Sequence, residues 1–139
     1  MKNAANSEAP ARPSPSRTAL SEPYWKGAEQ GRLLLQKCAS CGKVRHYPRL
    51  LCDSCYSDQA EWIEASGRGK VHSWTVCHHA FHPAFAPELP YTLVTVDLEE
   101  GVRALGRWGG DGLSIGESVA AHFAQRPEGP ELFFASASE

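Results

Sequence analysis

Two cysteine pairs, Cys38-x-x-Cys41 and Cys52-x-x-Cys55, stand ten residues apart and constrain this chain more than any other feature. A C-x-x-C pair closes a tight turn that aims two sulfurs at one point, and two such turns supply the four ligands of a tetrahedral zinc ion. Backbone N–H groups in each turn can donate to the thiolates and temper their charge. Four protein ligands leave no open position for water or substrate, so the expected zinc is structural. Iron-binding rubredoxin sites keep their pairs much farther apart, and a redox C-x-x-C needs one pair, not two. Gly42 follows the first pair, where a residue free to take positive φ eases the turn. Tyr56 holds the matching place in the second pair and predicts a less regular knuckle. His46, between the pairs, reads as a surface or packing residue. Cys77 makes the cysteine count odd. With no apolar export signal at the N-terminus, that argues against a disulfide framework and for the cytoplasm, where thiols stay reduced.

The rest of the chain divides around this motif. Residues 1–20 hold Pro10, Pro13 and Pro15 among Ala and Ser without any period, which predicts a disordered tail. Ser21 is placed to cap a helix over 22–30, with a carboxylate and a proline in its first turn and Gly31 as its stop. Tyr24 and Trp25 are its anchors. So short a helix needs something to pack on, either its own core or a partner subunit. Leu33–Leu35 is a short strand into the first cysteine. The ten residues between the pairs are enough for a hairpin. Ser66, Gly67 and Gly69 mark a boundary, giving a helix-plus-ribbon unit over 21–61 and a second unit over 62–139.

The second unit reads as strands: Val71–Cys77, Tyr91–Leu98, Val102–Gly106, Ser118–Ala124 and Leu132–Ala135. Glu99-Glu100-Gly101 makes the second and third a hairpin. The fold class is therefore mainly β, with a short N-terminal helix and a rubredoxin-like zinc ribbon before a five-stranded OB-fold barrel. A small sandwich is the alternative.

Charge limits the partners. Residues 62–139 carry five basic and ten acidic side chains, the wrong excess for neutralising phosphates. Single-strand binding on an OB-fold, with Trp74, Tyr91 and Trp108 as stacking platforms, is therefore the second reading and not the first. Cys77 beside His78, His79 and His82 offers nucleophilic chemistry, but neighbouring strand residues point to opposite faces and no third orienting group is evident. The loop from His82 to Pro90, with Phe81 and Phe85, reads equally as a contact surface or as a lid over the barrel end. No run approaches the roughly 18 apolar residues of a membrane span.

The order helix, four-cysteine ribbon and barrel resembles the acyl-CoA-associated zinc-ribbon/OB-fold family, catalogued as domain of unknown function thirty-five. The residues that carry the likeness are Tyr24-Trp25, Gly31, Leu33–Cys38, the C-x-x-C-G at 38–42, Pro48 and the second pair. It continues through Gly69-Lys70-Val71, Ser73-Trp74-Thr75, Pro90-Tyr91, the Asp97–Gly101 turn and Gly106. The resemblance implies a non-catalytic accessory subunit that binds a thiolase-like enzyme or a MaoC-type hydratase and helps hold an acyl-CoA substrate. It carries the metal ligands onto Cys38, Cys41, Cys52 and Cys55, and transfers no catalytic residues. Some members lack the ribbon cysteines, as befits a scaffold metal. For CoA contact, Lys43, Arg45 and Arg49 form the basic group on the ribbon that suits its phosphates.

Overall fold

The computed structural model describes residues 11–137. Glu22–Glu29 forms the helix α1, and Gly31 ends it at φ 77°. Ser21 makes no side-chain cap; its hydroxyl instead accepts from the Thr18 N–H at 3.1 Å, closing a turn that precedes the helix. The helix buries Gly27 and Ala28. A Cβ on Gly27 would stand 2.6 Å from Leu34 Cγ, so glycine is what lets α1 lie on the first strand. Tyr24 packs on this chain's own core, its ring centroid 6.3 Å from Phe123 and 5.8 Å from His46.

The ribbon is a three-stranded antiparallel sheet in the order β2-β1-β3, with β1 Leu34–Cys38, β2 Val44–Arg45 and β3 Ala60–Glu64. Trp62 and Ile63, the first residues of the second unit expected from sequence, pair with Gln36 and Leu35 of β1. β3 thus runs across residue 61, from the ribbon unit into the first residues of the second.

Five longer strands close the barrel: β4 Arg68–Cys77, β5 Tyr91–Leu98, β6 Arg103–Trp108, β7 Ser118–Arg126 and β8 Gly129–Ser136, in the order β4-β5-β6-β8-β7. All five expected strands are present. Closure settles the architecture as an OB-fold and not a sandwich. It depends on one parallel pairing, Arg107 with Phe133 and Trp108 with Phe134. The β5–β6 hairpin turns at Gly101, φ 90°. Between β4 and β5, the expected proline-rich loop contains a 3-10 turn, Pro83–Glu88, started by His82 Nδ1 accepting from the Ala84 N–H at 3.1 Å.

Phe134, Val94, Val96 and Val119 form the barrel centre, and Leu33 and Leu35 from the ribbon side join the same cluster. Each such side chain contributes about 1.5–3 kcal/mol on burial, so ribbon and barrel share one core rather than meeting at a linker. Of the expected tail, residues 1–10 lie outside the described residues. Farther along, Arg17 is bonded to Glu22 and Glu29 of α1 at 2.7 and 2.6 Å. Among the described residues, no helix is long and apolar enough to cross a membrane.

Candidate metal centre and neighbouring anion groove

The end of β1 and the two knuckles bring Cys38, Cys41, Cys52 and Cys55 together, with all four sulfurs within 4.8 Å of one another. Cys38 and Cys55 are 3.6 Å apart, as are Cys41 and Cys52. A zinc ion with Zn–S bonds of about 2.3 Å separates its sulfurs by about 3.8 Å, so the cage fits that ion. The Cys41 N–H points at Cys38 Sγ and the Ser54 N–H at Cys52 Sγ, both at 3.4 Å. The Cys41 N–H draws the Cys38 thiol down to about 6, and the Cys55 and Ser54 N–H groups draw Cys52 down as well. Without the ion, Cys55 goes the other way. The Ser57 N–H favours its thiolate, but hydrogen bonding with Cys38 and burial push it up to about 11. Cys38 and Cys52 are fully buried, and the four thiolates fill a tetrahedron, which makes the site scaffold.

Both knuckles have the same backbone form. Gly42 has φ 82° and Tyr56 has φ 63°, and each donates its N–H to the first cysteine's carbonyl, at 3.0 Å to Cys38 and 2.9 Å to Cys52. Tyr56 therefore does not make the second knuckle irregular; it bears the left-handed conformation. That costs a residue with a Cβ about 1–2 kcal/mol. Its ring is 75% exposed and has little packing to lose. Tyr56→Gly is expected to stabilise the zinc-loaded chain by up to about 1 kcal/mol after the added freedom of the unfolded glycine is subtracted, and so to raise its melting temperature. A lower melting temperature in calorimetry would show that the ring is anchored.

Beside the cage, a groove of about 400 Å³ runs between ribbon and barrel, lined by Lys43, Arg45, Arg49 and Arg103 against Asp53 and Asp97. Arg45 is only 4% exposed. Its Nε donates to Gln36 Oε1 at 2.6 Å and its Nη2 to the Arg49 carbonyl at 3.2 Å. Its Nη1 is buried without a partner. Gln36 Oε1 also accepts from the Arg49 N–H at 2.8 Å, fixing the loop that carries Arg49. Lys43 and Arg49 flank Asp53 at 2.8 and 3.7 Å, and Arg103 holds Asp97 at 2.7 Å. Four cations thus face two carboxylates.

Residues 25–61 match the family model described as ChsH2, rubredoxin-like zinc ribbon domain, and residues 62–124 match ChsH2, C-terminal OB-fold domain. The chain belongs to this zinc-ribbon/OB-fold family, the DUF35 proteins. A DUF35 domain-containing scaffold protein of Methanothermobacter thermautotrophicus is 32% identical over 68% of this chain and 74% of the relative. The 3-oxo-4,17-pregnadiene-20-carboxyl-CoA hydratase alpha subunit of Mycobacterium tuberculosis is 35% identical over 84% of this chain and 37% of that subunit. Among solved structures, the one titled Ltp2-ChsH2(DUF35) aldolase superposes with a TM-score of 0.81 at 34% identity, over 89% of this chain and 99% of that one. The chain spans 37–38% of the curated relatives named as hydratase alpha subunits and 50–74% of the scaffold proteins.

Within this DUF35 chain the other sequence candidates scatter. Cys77 is half-buried, His79 lies against Phe81, and His82 is engaged by the 3-10 turn. The four ribbon cysteines are the one group among the described residues placed to hold a metal. His46 is half-buried between Tyr24 and Tyr47, and burial lowers it to about 4. Of the three stacking candidates, Trp108 is buried, Tyr91 lies under the Arg107 guanidinium, and Trp74 is 38% exposed. Sequence reading missed Arg103 as a member of the groove and Gln36 as the buried residue that holds Arg45 and the Arg49 loop. A polar residue between Leu35 and Cys38 in a strand entering the core was the available signal for Gln36.

Proposed function

We propose that this chain is a non-catalytic accessory subunit that binds an acyl-CoA enzyme, of the thiolase-like or MaoC-type hydratase kind, and helps hold the acyl-CoA. The observation that carries the ligand half of this reading is the excess of cations in the groove between ribbon and barrel, four against two carboxylates. An anionic ligand there would accept charge-assisted hydrogen bonds from the cations that the two carboxylates leave over. Lys43, Arg49 and Arg103, about half exposed, line this groove and suit a diphosphate. The partner half draws support from relatives named as hydratase alpha subunits and as scaffold proteins, and from the neighbour titled as an aldolase. The nucleic-acid reading gains nothing from the placement of Trp108 and Tyr91.

The test has two arms. Gentle purification of the tagged chain from its own host is expected to recover a stoichiometric acyl-CoA enzyme subunit, and recovery of the chain alone would sink the partner half. Titration of the zinc-loaded complex with CoA is expected to show binding that Arg49→Ala weakens by about tenfold, the worth of one charge-assisted contact. Equal affinity of wild type and Arg49→Ala would remove the groove from the ligand site.

A further inference from the structure

A second groove, of about 320 Å³, lies at the far side of the barrel between the 3-10 turn and the turn joining β7 to β8. The chain's own residues 12–15 line it. The Arg12 side chain is 13% exposed. Its guanidinium is paired with Glu88 of the 3-10 turn, stands 3.0 Å from Glu131 of β8 and 3.5 Å from Glu128, and lies 4.8 Å over the Phe85 ring. The ring of Pro15 rests on Gly129, where a Cβ would meet it at 3.4 Å. The exposed ion pairs elsewhere, such as Arg32 with Glu64, have side chains about half exposed. Those of Arg12 and Arg107 are nearly covered.

The surface under the Arg12 guanidinium is built for a cation. Arg107 pairs with Glu88 and Glu131, and Arg126 pairs with Glu131 at 2.5 Å. Those two arginines face three carboxylates, Glu88, Glu128 and Glu131, which leaves one negative charge for an incoming guanidinium. Phe85 offers it an aromatic face. The arriving segment, Arg12-Pro13-Ser14-Pro15, alternates proline, which holds the backbone extended and reduces the entropy lost on docking.

We propose that the acidic seat beside this groove, formed by Glu88, Glu128 and Glu131 with the Phe85 ring, is a recognition site for an arginine–proline segment, taken here by Arg12–Pro15 of the same chain, and that its occupation clamps the Pro83–Glu88 turn onto the barrel. Arg12 reaches the turn through Glu88 and the barrel through Glu131, so one side chain bridges the two. A cationic, proline-containing segment of a partner would compete for the same acids. This inference stands apart from the acyl-CoA reading, because it uses none of the same residues.

Hydrogen exchange on the full chain tests it. In wild type at low salt, the amides of 84–91 are expected to be protected. Arg12→Glu should accelerate their exchange by about tenfold or more while residues 34–64 keep their rates. A synthetic peptide of residues 11–18, added in excess to the Arg12→Glu chain, should restore protection, and the same peptide with alanine in place of Arg12 should not. Unchanged exchange at 84–91 in Arg12→Glu would overturn the clamp, and failure of the peptide to restore protection would overturn the recognition site. Should Arg12→Glu accelerate exchange throughout the molecule, wild type in rising sodium chloride decides. Selective acceleration at 84–91 is expected, because salt screens these pairs, and uniform rates would refute the proposal.

Discussion

Removing the zinc is expected to unfold the ribbon and leave the barrel strands in place. The ribbon over 34–64 buries Leu35, Gln36, Cys38, Arg45 and Cys52, and two of those five are the metal's own ligands. Structural zinc contributes about 10–16 kcal/mol in small ribbons and fingers, comparable to the whole stability of an ordinary domain, about 5–15 kcal/mol. The apolar residues of this stretch, Leu35 with Val44 and Ile63, pack into the core shared with the barrel and leave the knuckles without one of their own. The barrel keeps Phe134, Val94, Val96 and Val119, which lie away from the cage. A strong chelator should therefore abolish amide protection in β1–β3 while β5, β6 and β8 remain protected, with a partial loss of overall stability as Leu33 and Leu35 loosen. Cys52→Ser should do the same in the presence of zinc, since Cys52 is fully buried and its sulfur is aimed into the cage. Protection of β1–β3 that survives both treatments would show that packing against the barrel, and not the ion, holds the ribbon.

The second large effect is expected in the barrel. Phe134 is fully buried and sits on β8 beside the parallel closure with β6. Gly106 faces it: a Cβ there would stand 2.8 Å from Phe134 Cδ2 and 3.1 Å from the Leu132 carbonyl. The ring occupies the space that glycine leaves. Phe134→Ala should cost about 3–5 kcal/mol, from lost burial plus the cavity that remains. Gly106→Ala should cost about 1–3 kcal/mol by overpacking. The two changes meet at the same atoms, so the double variant should be more stable than the sum of the single losses implies. Thermal denaturation of the four proteins at fixed zinc concentration measures this. Simple additivity would mean that strain at Gly106 comes from the backbone carbonyl and not from the ring.

Much of this molecule is legible from short-range rules. The C-x-x-C pairs place four sulfurs through turns of four residues each, so the cage follows from spacing alone. The Glu99-Glu100-Gly101 turn and the apolar runs beside it define the β5–β6 hairpin for the same reason. Tyr56 shows where such reading stops. Its side chain predicts an irregular knuckle, yet the sulfur cage imposes φ 63° on it, because the local strain is small against the metal site. The basic group at Lys43, Arg45 and Arg49 is visible as composition. Only the fold separates Arg45, drawn inside by Gln36, from its two neighbours beside Asp53.

The sequence by itself determined the ligand set, the helix stop at Gly31 and the strands of the barrel, because each depends on residues a few positions apart and on backbone preferences that survive any context. Tertiary structure alone decided the parallel closure of β6 on β8, the third ribbon strand, and the docking of Arg12 on acids that follow it by 76 to 119 residues. Contacts of that range exist only after the barrel has closed, and the charge on a side chain does not say which opposite charge the closure will bring to it.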